Sequence, residues 1–245
     1  MFTSTHLRSP VCKASSTILN SARLYHAVSH LPPSPYTPAQ ARILSSALTH
    51  VPEHGFVKDA LVLGCRDQGY LDSTHAVFHN GVFDLIQYHL YSERTKLAQH
   101  KDKIDAETND LHERVKRYCV ERLKANAPVI KRLPEALAVM GLPPNVPASL
   151  EELAKLADEI WYLAGDKSST FDWYTRRASL SAVYSATELY MTQDNSTDFK
   201  NTWEFLDRRL ENVAHLKSTL GSSSTWIAFT GMASINLLRS QLARG

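Results

Sequence analysis

The sequence predicts an all-α protein, and three observations support that prediction. Apolar residues recur three or four positions apart along most of the chain, which is the spacing of one helix face. Glycine, proline and capping residues separate these runs. No segment shows the strict alternation of apolar and polar residues that is typical of a half-buried strand. The composition, 245 residues with 43% apolar and 21% charged, fits a globular protein of one or two domains.

Residues 37–90 are predicted to form three short helices and the start of a longer fourth. Thr37 supplies an N-cap, Pro38 a first helical residue, and Gly55 ends the first run. The second helix is predicted over 57–68, the third from a cap at Asp72 or Ser73 to residues 80–81, and the fourth over 82–99.

Residues 91–217 are predicted to form a larger helical body. A capping box of Ser149 and Glu152 is predicted to open a helix that runs through Trp161. Other helices are predicted over 129–140, with an interruption near Pro134, and over 171–192 and 198–217. One face of a further long, charged helix is marked by Ile104, Leu111, Val115, Tyr118, Cys119 and Leu123.

The N-terminal segment has a different composition from the rest of the chain. The first acidic residue is Glu53, and residues 1–34 contain seven serines, three histidines and three basic residues. A basic, serine-rich and acid-free segment is typical of a mitochondrial transit peptide. We therefore predict a transit peptide over residues 1–25 and a Pro-rich linker over 26–36. A disordered N-terminal arm is the alternative.

The sequence contains none of the motifs that would indicate a catalytic centre. It has no G-x-S-x-G, P-loop, Rossmann glycine pattern or Cys-x-x-Cys. His75 and His79 are four residues apart, but Ala76 stands where a zinc protease would carry glutamate. Three cysteines at wide spacings indicate neither a disulfide framework nor a zinc site. We predict no catalytic residue, no metal and no cofactor.

Three short helices, a longer fourth and a helical body are the layout of TetR-type repressors. In such a protein the third helix, with its cap at Asp72 or Ser73, would enter the DNA major groove. Between Asp67 and Glu93, however, there is no lysine or arginine. Because DNA affinity rests largely on the neutralisation of phosphates, this segment is predicted to bind duplex DNA poorly. The sequence therefore predicts a TetR-like architecture with a helix-turn-helix-like module and no nucleic-acid partner.

Four segments carry a resemblance to one protein family. They are "HVPEHGF" from His50, "AVFHNGVFDLIQYHL" from Ala76, "AGDKSSTFDWYTRRASLSAVYSATELYMTQDNS" from Ala164 and "TWEFLDRRL" from Thr202. They resemble the TetR-like lipid-binding accessory proteins of mitochondrial ubiquinone biosynthesis. The resemblance implies a non-enzymatic homodimer at the matrix face of the inner membrane. It also implies isoprenoid quinone precursors and phospholipid as ligands, and the ubiquinone-biosynthesis complex with its di-iron demethoxyubiquinone hydroxylase as partner.

The third segment contains the candidate site, "FDWYTRR". Its helix carries apolar residues on two faces, which predicts burial, and Arg177 lies one turn from Trp173, where a cation–π contact is expected. The resemblance assigns Trp173, Tyr174, Arg176 and Asp166 to partner docking and Arg177 to a lipid head group. The alternative interpretation makes Trp173 and Tyr174 core residues with polar tips and the arginines surface residues. Thr170 stands where the family carries an acid, so no acidic contact is transferred there.

Residues 218–245 are predicted to form a hinge and a C-terminal amphipathic helix. Arg239 is the single charge between Trp226 and Leu242, a span at the short limit for crossing a bilayer. Packing on a dimer partner is one interpretation of this helix; the resemblance favours association with the inner-membrane surface. The residues assigned to membrane association are Trp226, Ile227, Phe229, Leu237 and Leu238. A TetR-like regulator that binds DNA and senses a small molecule is the competing hypothesis for the chain.

Overall fold

The computed structural model describes residues 34–168 and 171–219. Every regular element within those ranges is helical, which confirms the all-α prediction. The predicted transit peptide, most of the linker, Thr170 and the terminal helix with Trp226, Ile227, Phe229, Leu237 and Leu238 lie outside the described residues. Residues 34–37 belong to a separate N-terminal unit, and the compact body begins at Pro38.

Two α-helices open the body at the places that the sequence predicts. They are α1 (Pro38–His54) and α2 (Lys58–Asp67). The two helices cross very closely at Gly64, where a Cβ atom would lie 2.7 Å from the backbone nitrogen of Ala47 and 2.7 Å from the carbonyl oxygen of Ile43. Glycine is therefore required at this crossing because no side chain fits between the backbones. Asp67 adds a polar contact, since its Oδ2 accepts from the Ser46 hydroxyl at 2.8 Å.

The predicted third α-helix is a short 3₁₀ helix, Asp72–Val77. Neither Asp72 nor Ser73 caps it, because the Asp72 carboxylate is bound by Arg66, whose Nε lies 2.6 Å from Oδ1. The backbone at Phe78 is extended, and Gly81 adopts a φ of 57°, so the chain turns before a second helical turn can form. The helix-turn-helix detail of the prediction is therefore not confirmed, since the position of a recognition helix holds six residues in a 3₁₀ turn.

The long helices predicted next are divided in the structure. The fourth helix is α3 (Val82–Lys96) and continues as a 3₁₀ segment, Leu97–His100. The single charged helix is two helices, α4 (Lys101–Glu107) and α5 (Leu111–Lys124). The break falls at Asp110, whose carboxylate accepts a hydrogen bond from the Glu113 amide at 2.8 Å and so caps α5.

The next helices confirm the interruption near Pro134 and correct the capping box. A 3₁₀ segment (Ala127–Arg132) leads into α6 (Leu133–Met140), and α7 then runs over Val146–Ala164. Since α7 begins three residues before Ser149, that residue lies inside the helix and donates its hydroxyl to the Asn145 carbonyl at 2.9 Å. Glu152 instead accepts from Arg94 Nε of α3 at 2.6 Å.

Two long helices complete the described part. They are α8 (Phe171–Met191) and α9 (Lys200–Thr219), joined through a 3₁₀ turn, Thr197–Phe199. The rings of Tyr190 and Phe205 stack at 4.5 Å between the two helices. The expected burial of both faces of α8 is only half right. Leu180, Tyr184 and Met191 are buried, whereas Ala178 is exposed and Ala182 and Leu189 are half-buried.

The hydrophobic core lies where α5, α7, α8 and α9 pack together. Its most deeply buried apolar members include Leu123 of α5, Ile160 of α7 and Leu206 of α9. α1, α2 and α3 pack at one end of this bundle, with α3 against α7. None of the helices in the described ranges is both long enough and apolar enough to cross a membrane.

A buried polar network runs through the core. The Asn126 side chain accepts from Arg122 Nη1 at 2.8 Å and contacts His89 Nε2 at 3.2 Å, and it donates to Glu188 Oε1 at 2.7 Å. The Tyr184 hydroxyl donates to the same glutamate oxygen at 3.2 Å. Asn126 therefore links a buried guanidinium to a buried carboxylate through its amide, while Arg122 Nε has no hydrogen-bond partner of its own in the described part of the chain.

We expect Gly64→Ala to destabilise the fold by about 1–3 kcal/mol, because the new methyl group would force α1 and α2 apart. Urea denaturation of the two proteins measures the difference in the free energy of unfolding. Gly141→Ala is the matched control, since a Cβ there would meet nothing closer than 3.4 Å. If Gly64→Ala and Gly141→Ala lowered the free energy of unfolding equally, the close crossing of α1 and α2 would be contradicted.

We expect the protein to lose stability as the pH falls from about 6.5 toward 4 because of His89. Burial first, and the nearby Arg122 charge second, lower the pKa of His89 from 6.5 to about 4. The unfolded chain therefore binds a proton in this pH range that the folded chain excludes, and the loss approaches about 3 kcal/mol when it is complete. Urea titrations between pH 4 and 7 should show a shallower pH dependence in His89→Gln than in the parent protein. If the stability of His89→Gln depended on pH as strongly as that of the parent protein, His89 would not be the cause of the loss.

Candidate functional site

The candidate site begins where α7 ends. Gly165 adopts a φ of 89°, and its amide donates to the Tyr162 carbonyl at 3.0 Å, while the Asp166 amide donates to the Trp161 carbonyl at 3.0 Å. This pair of hydrogen bonds is the Schellman arrangement that glycine makes possible at a helix end. It turns the chain sharply, so that Asp166 faces back toward the start of α8.

The side chain of Asp166 organises the turn that follows. Its Oδ1 accepts from the Ser168 amide at 3.1 Å, and its Oδ2 accepts from the Ser168 hydroxyl at 2.6 Å. The same two oxygens pair with Nη1 of Arg176 at 3.0 Å and with Nη1 of Arg177 at 3.2 Å. One carboxylate, only 1% exposed, thus holds the turn and two arginines of α8.

The electrostatics of Asp166 fit this arrangement. Burial alone would raise the pKa of the Asp166 carboxyl, but the hydrogen bonds from Ser168, the charge of Arg176 and the hydrogen bond from Arg177 outweigh it and lower that pKa. Asp166 is therefore ionised at neutral pH.

A second carboxylate holds Arg177 from α7. Asp158 Oδ1 lies 2.5 Å from Arg177 Nε, and the two side chains are only 8% and 11% exposed. Asp158, Asp166, Arg176 and Arg177 form one group of four charged residues, the aspartate–arginine cluster. The pair between Asp158 and Arg177 is largely shielded from water, so the Coulombic attraction between its charges is stronger than between charges at the surface.

Each arginine of the cluster also contacts a tryptophan ring. The guanidinium carbon of Arg177 lies 3.9 Å from the centre of the Trp173 ring, which confirms the predicted cation–π contact. Arg176 lies over the buried ring of Trp161 at 5.3 Å, and the Trp161 indole nitrogen donates to the Arg176 carbonyl at 3.2 Å. The cluster therefore connects two helices to two aromatic side chains.

The outer layer of the site is the aromatic pair, Trp173 and Tyr174. Their rings meet edge to face at 4.8 Å. Tyr174 is 58% exposed and Trp173 is half-buried, so neither is the fully buried core residue of the alternative interpretation. Arg177, which that interpretation placed at the surface, is buried. Large exposed aromatics beside arginine are the residue types that dominate protein interfaces.

The structure brings together all five residues that were predicted for docking and head-group contact. Asp166 is buried and pairs with both arginines, and the Arg177 guanidinium contacts two carboxylates. The role of Asp166 in docking and the role of Arg177 in lipid contact stay predictions. The sequence analysis missed Asp158 and Tyr162. The signal that could have identified Asp158 is a charged residue among the apolar residues of α7. Tyr162 lies one turn further along α7, and it is 52% exposed.

Two further observations concern what the rest of the described chain could bind. A cleft of about 130 Å³ lies beside α4 and α5, with Lys103, Glu107 and Lys116 among its lining residues, and it is smaller than the roughly 300–1,000 Å³ of ligand pockets. No group of three or more histidine, cysteine, aspartate or glutamate side chains in the described ranges is arranged to hold a metal ion.

Comparisons with known proteins point to one family. The family model COQ9 matches residues 146–217, which begin at the first residue of α7 and contain the whole aspartate–arginine cluster. The ubiquinone biosynthesis protein coq9, mitochondrial, of Schizosaccharomyces pombe is 39% identical over 204 residues, 82% of this chain and 80% of that protein. Xenopus tropicalis COQ9 is 36% identical over 80% of this chain and 63% of its own length. Homo sapiens COQ9 is 35% identical over 74% of this chain and 59% of its own length. The chain thus spans four fifths of the yeast protein and less than two thirds of these two vertebrate ones.

Proposed function

This chain belongs to the COQ9 family, and from that membership we propose that it serves ubiquinone biosynthesis in the mitochondrion. The relatives are named as ubiquinone biosynthesis proteins and as mitochondrial. The acid-free, serine-rich N-terminal segment supports the same location, because its composition is that of a transit peptide.

Within that pathway we propose an accessory role. The chain binds polyprenyl quinone intermediates and presents them to the di-iron demethoxyubiquinone hydroxylase at the matrix face of the inner membrane, as a homodimer. The hydroxylase supplies the chemistry, and this chain supplies access to a substrate that is otherwise held in the bilayer. The observation that carries the proposal is the exposed aromatic pair backed by a buried ion-pair cluster, which has the residue composition of a docking surface.

The lipid part of the proposal places a phosphate head group near Arg177. Arginine suits this task because its planar fork matches phosphate oxygens. Since Asp158 and Asp166 already contact this guanidinium, a phosphate must either displace one carboxylate or use the remaining N–H groups. The proposed head-group contact therefore couples lipid binding to the cluster beneath the aromatic pair.

The competing hypothesis, a DNA-binding regulator, receives little support. The segment that would enter the major groove is a 3₁₀ turn of six residues, and no lysine or arginine occurs between Asp67 and Glu93. A salt-dependent gel shift with duplex DNA would favour the regulator.

We expect Tyr174→Lys to reduce binding to the hydroxylase by at least tenfold, because the exposed ring would be replaced by a hydrated charge at the centre of the docking surface. A pull-down with the purified hydroxylase measures the change. Tyr70→Lys is the matched control, since Tyr70 is 38% exposed but lies beyond α2, away from the aromatic pair. Unchanged binding of the Tyr174 variant would remove the docking proposal.

We expect lipids extracted from the natively purified protein to contain prenylated quinones or phospholipids in near-stoichiometric amounts. Mass spectrometry of the extract identifies them, and a parallel extract of an unrelated protein from the same preparation gives the background. Protein without lipid, or with a small polar effector, would contradict lipid presentation and would favour the regulator.

A further inference from the structure

We propose that Asp158 is the positioning residue of the docking surface: it fixes Arg177 beneath Trp173 and thereby holds the aromatic pair in one conformation. The inference rests on the proposed function, which assigns docking to Trp173 and Tyr174. Asp158 itself is buried in α7, and its ion pair with Arg177 connects it to the aromatic pair at the surface.

The geometry at Arg177 shows how this positioning works. Asp158 binds Nε at 2.5 Å from one helix, and Asp166 binds Nη1 at 3.2 Å from the turn after it. Nη1 also donates to the Trp173 carbonyl at 3.3 Å. Because a guanidinium is planar and rigid, contacts on two of its nitrogens from two directions fix both its place and its tilt. The flat face that results lies against the Trp173 ring at 3.9 Å.

Asp166 cannot replace Asp158 in this task. Its two oxygens are divided between the Ser168 turn, Arg176 and Arg177, at distances between 2.6 and 3.2 Å. Asp158 lies closer to Arg177, at 2.5 Å against 3.2 Å for Asp166, and contacts Nε rather than Nη1. Without it, a buried guanidinium would lack a countercharge at Nε and would move toward water. The Trp173 ring would then lose the surface on which it lies.

The expected consequence is a loss of affinity without a loss of any contact residue. A partner that binds a rigid aromatic pair spends little free energy on ordering it, whereas a loose pair must be ordered on binding. For two aromatic side chains the penalty corresponds to a decrease in affinity on the order of tenfold.

The test compares Asp158→Asn with Glu152→Gln in the full chain. Both substitutions change a carboxylate to an amide on α7 and break a buried ion pair, because Glu152 pairs with Arg94 at 2.6 Å and these side chains are 14% and 8% exposed. Only Asp158 contacts the cluster. The tryptophans are labelled as 5-fluorotryptophan, the Trp173 fluorine resonance is assigned with Trp173→Phe, and hydroxylase affinity is measured in parallel.

We expect Asp158→Asn to shift or broaden the Trp173 resonance and to weaken hydroxylase binding about tenfold, while Glu152→Gln changes neither. In an Arg177→Met background, Asp158→Asn should weaken binding by less than about twofold, because the two residues act as one unit. Any of three results would overturn the proposal. The first is an unchanged Trp173 resonance in Asp158→Asn, and the second is an equal change of resonance and affinity in Asp158→Asn and Glu152→Gln. The third is a loss of affinity of about tenfold when Asp158→Asn is added to Arg177→Met.

Two controls keep the test decisive. If Asp158→Asn does not fold, Asp158→Glu is used, which keeps the charge but lengthens the side chain; an unchanged Trp173 resonance in that variant overturns the positioning role. Failure of the proposed function is detected separately, as unaltered hydroxylase binding by Tyr174→Lys. In that case the fluorine resonance alone decides whether Asp158 positions Trp173.

Discussion

The interaction on which the site depends is the pairing of two buried carboxylates with two adjacent arginines. Arg176 and Arg177 follow each other in α8, so they leave the helix in different directions, and each meets a different tryptophan. Asp166 contacts both, which is possible only because Gly165 reverses the chain at the end of α7. A backbone conformation at one glycine therefore determines the arrangement of four charges and three aromatic rings.

The body of the protein provides the rigid support for this arrangement. α7 is held against α3 by the ion pair between Glu152 and Arg94, and α8 is held by the network that Asn126 makes with Glu188. Buried polar contacts of this kind add specificity, because only one packing of the helices satisfies all of them. The two helices that present the site are thus held by buried polar contacts at Glu152 and Glu188 as well as at their shared turn.

The parts of the fold that follow from local signals could be predicted from the sequence. Pro38 at the start of α1, Gly55 after its end and the limits of α8 depend on neighbouring residues. The break at Asp110 was missed because Ile104 and Leu111 are seven residues apart, a spacing that also fits one continuous helix. Asp158 was missed for a different reason: its partner Arg177 lies 19 residues away and on another helix. Sequence spacing along one helix contains no information about such a pair.

The composition of the aspartate–arginine cluster has a consequence for the choice of partner. Its two carboxylates and two guanidiniums carry equal and opposite charges, so the four residues together have no net charge when all are ionised. Long-range attraction or repulsion of a partner must therefore come from charges outside the cluster, such as the exposed Asp172 beside Trp173. At Trp173 and Tyr174 themselves, recognition would be decided at contact, by the shape of the opposing surface.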